Sequence, residues 1–396
     1  MADQPPNRKN RHERTNRPAM KRPGEISDYR VLRMVLFLGI LGLVRLAPLR
    51  AAPLTNLLPV SVWDVSARVE AGFGYKHNVL LTSVAPESSP FVSVAADASF
   101  IRLSETGSEL TMFFLGQDMQ FTDVPSVDGE RFASGTIQFA RPLGLGNKLG
   151  IQLSSLYLNQ VMDVSESETN LARMLVQGVE ILLTPKWIHT LGAGREVRCE
   201  VFGGPQLYGG DLDSYWQTGA KLALVQTYGN KSELSLSSQF AHWLYEDREQ
   251  TDAAGATIPG TTMAYWRPEL AGQWRHNWDA KRRWTTTTKL GWLWNVDNGS
   301  GYWNYNRLAF SQGVRWRPGS WEITAGGRFG WYLYNMQTVG SEPRERFYTT
   351  VDIRVERRLG KRWFVYASAE ADWNWSNEPL DTYSDWTVGA GLGAEF

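Results

Sequence analysis

Ser238 and His242 are the side chains best suited by type to act as nucleophile and general base, a pairing that needs the two within hydrogen-bond reach. They share one face of an alternating run but stand four residues apart, roughly 13 Å at strand rise, so they cannot touch. The histidines, His12, His77, His189, His242 and His276, form no paired metal motif. A single cysteine, Cys199, excludes Cys-rich zinc sites and an intramolecular disulfide framework. With Val197 and Val201 on its own face, Cys199 reads as a small apolar wall residue rather than a reactive thiol. Gly-rich stretches lead into no helical pattern and so are not phosphate loops. The sequence therefore predicts no catalytic residue, no metal site and no cofactor.

Charge is the chemistry that remains. Arg68, Glu70, Asp97, Gln217, Lys221, Gln273, Arg275, Lys289, Arg307, Arg328, Asp352, Arg354, Glu356, Glu370 and Asp372 occupy alternate positions in otherwise apolar runs. Both signs are present, which suits either a rigidifying ladder of salt bridges and hydrogen bonds or a transverse field acting on solutes. Tyr332, Tyr334, Tyr348, Phe364 and Tyr366 share that face on three neighbouring runs. Rings beside charges suit the C–H faces and hydroxyls of sugars, and equally the plain lining of a rim.

Holding these side chains on one face requires β-strands, whose side chains alternate with a period of two. The clearest is the last. Trp386, Val388, Ala390, Leu392, Ala394 and Phe396 share one face; Thr387, Gly389, Gly391, Gly393 and Glu395 share the other. That pattern places lipid outside and a wet lumen inside a transmembrane barrel. A charge on the lipid face would cost on the order of 2 to 4 kcal/mol at the midplane, so the regular position of the charges on the other face supports this register.

Sixteen alternating segments follow from Ser61, near 62–76, 91–103, 108–121, 131–142, 148–160, 170–184, 195–208, 213–227, 231–245, 263–278, 283–295, 303–316, 320–335, 345–358, 362–374 and 385–396. An even number brings both ends of the barrel to one side, the periplasm on an export route. Within 170–184, Arg173 and Gln177 conflict with Glu180 over which face is inside, which calls for a bulge. Connections alternate between long ones (77–90, 122–130, 161–169, 246–262, 296–302, 336–344 and 375–384, with 209–212 the short exception) and tight turns rich in Gly, Asn or Pro, such as 144–147, 228–230, 317–319 and 359–360. Residues 185–194 are an exception on the tight side and read as a small periplasmic feature. Acidic residues gather in the long loops and Lys and Arg in the tight turns, a distribution that serves solubility at both rims or links acidic loops to lipopolysaccharide phosphates through divalent cations.

Composition agrees. Eighteen Trp and 37 Gly stand out; Trp favours membrane interfaces, and Gly is tolerated where barrel strands curve or crowd. Trp63, Trp278, Trp284, Trp316, Trp321 and Trp363 fall at one set of strand ends, and Trp216, Trp243, Trp266, Trp292, Trp294, Trp303, Trp331, Trp373, Trp375 and Trp386 at the other, as two girdles. A soluble β-sandwich or propeller would bury one face of its strands and would not need two girdles, an export signal and alternating loop lengths together. The fold class is therefore all-β, a transmembrane antiparallel up-and-down barrel.

Residues 1–33 are a basic extension or leader, with Met20 an alternative start. Residues 34–52 hold an eleven-residue apolar run, Met34 to Val44, with Lys21, Arg22, Arg30 and Arg33 before it, as in a secretory signal. Cleavage is poorly marked, with Leu49 three residues before a cut at Ala51 and Pro53 left first by a cut after Ala52; an uncleaved anchor is the alternative. Residues 1–52 carry eleven Lys and Arg against four Asp and Glu, which leaves −7 on the rest because the whole chain sums to zero. A short linker, 53–60, leads into the barrel, 61–396, and is too brief for an N-terminal plug. The longest loop, 246–262, is the candidate for infolding, and its Ala253 to Gly260 stretch suits a mobile surface loop equally well.

Across residues 61–396 the chain resembles Gram-negative outer-membrane barrels as a class, and Phe396 resembles the C-terminal signal read by the outer-membrane assembly machinery. Ala71-Gly-Phe-Gly-Tyr-Lys-His-Asn-Val-Leu80 is similar to the opening of the beta-barrel porin 2 type, with Lys76-His77 replacing a more usual small or acidic pair. The resemblance implies the bacterial outer membrane and a porin or saccharide-export outlet. The reading that results is a passive channel for small polar solutes, with an exopolysaccharide or surface-molecule outlet and a structural or adhesion barrel as alternatives. Outer-membrane lipid, lipopolysaccharide, the assembly machinery and a small solute or saccharide are the expected partners; nucleic acid is not.

Overall fold

The computed structural model describes residues 62–396 apart from 105–106, 165–172 and 211. The expected leader, signal region and linker lie outside these residues. Along the chain run β1 (Val62–His77), β2 (Ser89–Leu103), β3 (Glu109–Phe121), β4 (Gly129–Gly144), β5 (Asn147–Asp163), β6 (Arg173–Gly192), β7 (Arg195–Tyr208), β8 (Tyr215–Tyr228) and β9 (Ser232–Tyr245). A two-strand hairpin follows, β10 (Gln250–Thr251) and β11 (Thr257–Ile258). Then come β12 (Ala264–Asn277), β13 (Trp284–Asp297), β14 (Tyr305–Trp316), β15 (Trp321–Val339), β16 (Glu342–Arg358), β17 (Trp363–Ser376) and β18 (Tyr383–Glu395). All but the hairpin form one closed antiparallel barrel, β1-β18-β17-β16-β15-β14-β13-β12-β9-β8-β7-β6-β5-β4-β3-β2.

Closure is made by β1 and β18, in register from Arg68 opposite Glu395 to His77 opposite Trp386. The backbone groups of Ala67 and Phe396 exchange hydrogen bonds at its end. With every strand paired on both sides, the barrel has no open edge, the condition for crossing a lipid core with β-structure.

Burial follows the two-residue period. On β8, Trp216, Leu222 and Leu224 are exposed outward while Tyr215, Gln217 and Val225 are buried inward. Every Trp except Trp243 and Trp303 has the outward parity, and all of these but Trp331, midway along β15, lie near a strand end, forming the two expected belts, which Trp187 and Trp274 also join. Each described histidine lies against an outward ring: His77 on Trp386 and His189 on Trp187 at 5.6 Å, His242 on Trp266 at 4.0 Å, and His276 on Trp274 at 5.3 Å.

Several expectations are corrected. Strand β6 continues through 185–192, so there is no separate feature there, and Gly192 and Gly194 with positive φ make the turn to β7. Pro185 removes a ladder donor, yet Leu183–Gly203 and Lys186–Glu200 pair on either side of it. The bulge expected within 170–184 is absent among the described residues, where β5 and β6 pair without a shift; the irregularity sits between Thr190 and Gly192. Residues 336–344 form the end of the β15–β16 hairpin, with a turn at 340–341, rather than a long loop. Trp303 is buried in the 298–304 connection, and Trp243 faces inward, stacked on Tyr215 at 4.6 Å, so neither belongs to a girdle.

The 246–263 connection is built around β10–β11 and packs on its neighbour. Thr251 is buried, its carbonyl accepts from Ser300 Oγ at 2.8 Å, and its hydroxyl accepts from Trp303 Nε1 at 3.1 Å. Below this lies a cluster of Tyr215, Tyr245, Met263, Tyr265 and Trp303.

Candidate functional site

The alternation that puts Trp and Leu outside places Arg68, Glu70, Asp97, Gln217, Lys221, Gln273, Arg275, Lys289, Arg307, Arg328, Asp352, Arg354, Glu356, Glu370 and Asp372 on the inner parity of their strands. Most of them fall into three groups.

The first is a bonded network on β1, β16, β17 and β18, in the half of the barrel that bears the chain ends. Arg68 pairs with Glu70 at 2.6 Å, with Glu395 at 3.4 Å and with Glu356. Arg354 pairs with Glu70 at 2.8 Å, and Arg358 with Glu395 at 3.0 Å. Beneath the guanidinium groups lie aromatic rings, Phe364 under Arg68 at 4.0 Å and Tyr366 under Arg354 at 3.9 Å. These rings fit because β18 offers glycines below them: a Cβ on Gly391 would stand 2.7 Å from the Tyr366 ring, and one on Gly393 would enter that of Phe364. Arg68, Glu70, Asp97, Glu322, Thr324, Arg354 and Glu356 line a recess of about 340 Å³.

The second group is a mid-barrel set that makes no salt bridge among the described residues. Asp352 lies directly across from Glu370, and Asp372 across from Asp385, which concentrates negative charge on β16 to β18. Beside it, Lys289, Ser311, Arg328 and Thr350 continue the row of cross-strand partners that ends in Asp372 and Asp385. Lys221 on β8 sits across the ring from β18. Lys221 stands directly opposite Glu200 in register, so the positive residues of this set that adjoin the acidic patch are Lys289 and Arg328.

The third group narrows the opposite end. Lys76 binds Glu130 at 3.0 Å and lies 4.0 Å from Asp385. Arg346 binds Asp163 at 2.9 Å and donates to Asn374 Oδ1 at 2.8 Å. Arg344 binds Asp381 and donates to Gln337 Oε1 at 2.7 Å. Leu293, Tyr305, Tyr332 and Tyr334 form a buried cluster with Tyr348 against it, so the aromatic set divides: these tyrosines pack the loop end, while Tyr366 serves the ion network. Arg307 lies 5.9 Å from the Tyr332 ring; Arg275 is instead near the terminus end of β12, where it pairs with Glu233 at 3.5 Å.

Sequence reasoning left out Lys76, Glu130, Asp163, Arg344, Arg346, Asp381, Asp385 and Glu395. Lys76, Arg346, Asp385 and Glu395 carried the signal, because they have the inner parity of predicted strands. Glu130, Asp163 and Asp381 lie at strand ends or in a connection, where parity says little about contact. Among the described residues no group of three His, Cys, Asp or Glu side chains could hold a metal ion. Ser238 and His242 both have the outward parity.

No family model and no curated protein matches the chain. Solved structures similar to it include a loop-deletion form of OmpT, an outer membrane protein of Vibrio cholerae, at 11% identity over 85% of this chain and 99% of that one, with a TM-score of 0.43. OccAB1 of Acinetobacter baumannii is similar at 8% identity over 84% of this chain and 96% of that one, TM-score 0.43. An anion-selective porin from Comamonas acidovorans is similar at 11% identity over 85% of this chain and all of that one (100%), TM-score 0.41.

Proposed function

We propose that this chain is a bacterial outer-membrane barrel acting as a passive channel for small polar solutes, with no cofactor and no chemical step. The observation that carries the reading is the mid-barrel charge set. Asp352, Glu370 and Asp372 face the interior of a closed barrel without a salt bridge among the described residues, beside Lys289 and Arg328. Charges that only stiffened a wall would be paired, as Arg68, Arg354 and Glu356 are. Carboxylates left together raise the local concentration of cations and the cost of anions, and a basic strip beside them does the reverse. Two outward aromatic belts support the membrane location. The acidic loops, which include Asp123, Asp128, Glu246 and Glu249, suit lipopolysaccharide phosphates bridged by divalent cations.

A gated outlet for an exported saccharide or surface molecule is the second reading. The bridges at the loop end favour it, because a free diffusion pore has no need of Arg346 tied to Asp163.

Planar-bilayer conductance of residues 53–396 separates the two. Discrete open steps whose ion selectivity shifts on Asp352→Arg and Arg354→Glu support the channel. A folded barrel that stays silent sinks it and favours the gated outlet.

A further inference from the structure

The outer face at the end bearing the chain termini shows a one-sided choice of charge. On that face Arg102, Arg141, Arg195 and Arg357 have the outward parity of their strands, near their ends, and no Asp or Glu among the described strand residues does so there. Two of them are placed alike. Arg102 is the direct cross-strand partner of Trp63, with its guanidinium 5.8 Å from the ring. Arg357 is the direct partner of Trp321, with its guanidinium 5.2 Å from the ring. Trp63, Trp321, Arg102 and Arg357 are exposed; Arg357 makes no salt bridge among the described residues, and Arg102 has contacts besides the Trp63 ring.

An outward arginine in the hydrocarbon would be costly, whereas at the interface the cost falls nearly to nothing and the side chain can snorkel to the headgroups. Interfacial Trp marks that level, so a guanidinium held over its ring sits where lipid phosphates lie. The neighbouring turns extend the positive field: Lys281, Arg282, Lys361 and Arg362 are exposed and make no salt bridge among the described residues. Of the carboxylates at this end, Glu322 pairs with Arg317 at 2.9 Å and Glu395 with Arg358 at 3.0 Å, while Asp64, next to Trp63, has the inner parity of β1. At the opposite end the outward and loop charges include Asp118, Asp128 and Glu345, so the preference belongs to one rim.

We propose that the rim at the terminus end binds anionic phospholipid headgroups, with Arg102 over Trp63 and Arg357 over Trp321 as its phosphate-holding pairs. The inference rests on the membrane location given above. The bidentate fork of each guanidinium fits two phosphate oxygens, and the indole beneath fixes its orientation.

The test uses the full chain inserted into phosphatidylcholine vesicles with and without one-fifth phosphatidylglycerol, followed by native mass spectrometry of the lipids retained. Retention of phosphatidylglycerol over phosphatidylcholine, reduced at least about tenfold by Arg102→Gln with Arg357→Gln, is expected, from roughly fivefold per interfacial cation. Arg102→Lys with Arg357→Lys keeps the charge and should restore part of it. Equal retention of both lipids, or an unchanged double variant, would overturn the inference while leaving the membrane reading intact. Displacement of the lipid by equimolar inorganic phosphate would assign the arginines to a free-phosphate site and overturn it as well. Failure to insert into either vesicle, seen as no heat-modifiable migration on a gel, would remove the membrane reading and this inference together.

Discussion

Arg346 on β16 and Asp163 at the end of β5 meet at 2.9 Å, although β4, β3, β2, β1, β18 and β17 separate them by the shorter way round the ring. Their side chains are only 5% and 4% exposed, so the contact is shielded from water. A pair between walls that far apart narrows the barrel at the loop end. Arg346 is held for the task by Asn374, whose own amide donates to the carbonyl of Asp381. The constriction is thus tied to the short helical turn Pro379–Asp381 between β17 and β18.

Removing one member of such a pair leaves the other as a buried charge, at a cost of about 3–5 kcal/mol. Arg346→Leu is expected to lower the urea midpoint of the refolded barrel accordingly and to raise its single-channel conductance. A destabilised variant with unchanged conductance would show that the narrowest point lies elsewhere.

The rings over the β18 glycines give a second prediction. Gly393→Val would push the Phe364 ring out from under Arg68, combining overpacking of about 1–3 kcal/mol with loss of the cation–π contact. In a Phe364→Ala background the atoms nearest that valine, all of the Phe364 ring, are gone. A double-mutant cycle read by tryptophan-fluorescence unfolding should therefore show strong non-additivity, and additive losses would mean that the glycine is needed for its backbone instead.

The barrel itself was legible because its signal is carried by side-chain parity, which every strand repeats. Where the reading failed, a local rule outvoted the period. The segment 170–184 stops short of Pro185, yet the strand runs on to the turn at Gly192 and Gly194, whose backbones supply the positive φ that the hairpin needs. Trp243 was assigned to a girdle by its residue type, although its parity with Tyr245 already put it inside. The site divides in the same way. Parity found Arg68, Asp352 and Arg354, but Asp163 reaches Arg346 through the course of a hairpin end, and no local pattern encodes a contact between residues 183 positions apart.

Cys199 tests the register from outside. It is the direct partner of Leu222 on β8 and Trp187 on β6, both exposed outward, and shares its face with exposed Val201. In a lipid bilayer the thiol is therefore expected to react with an apolar maleimide and to resist a charged, impermeant one, with the charged reagent gaining access only after unfolding. Rapid modification by the charged reagent in the intact barrel would place Cys199 on the lumen side and shift the register of β7 by one residue.

Trp303 separates the stability of the loops from that of the wall. Asp297 organises its connection by accepting the backbone N–H groups of Gly299 and Gly301, both at 2.9 Å, and that of Trp303 at 2.8 Å. The Trp303 ring then joins this turn to the β10–β11 hairpin through Thr251, with the Arg248 guanidinium 5.0 Å from it. Trp303→Ala would remove a fully buried side chain, typically about 3–5 kcal/mol, but the loss falls on the loop pair because the β13–β14 ladder begins beyond it. Trp303→Phe keeps most of the volume and gives up the Thr251 hydrogen bond, about 1 kcal/mol. Hydrogen exchange across residues 248–262 should accelerate strongly in the alanine variant and modestly in the phenylalanine one, while the unfolding midpoint of the barrel stays in place. Equal loosening of β13 and β14 in the alanine variant would show instead that the loop packing holds the wall together.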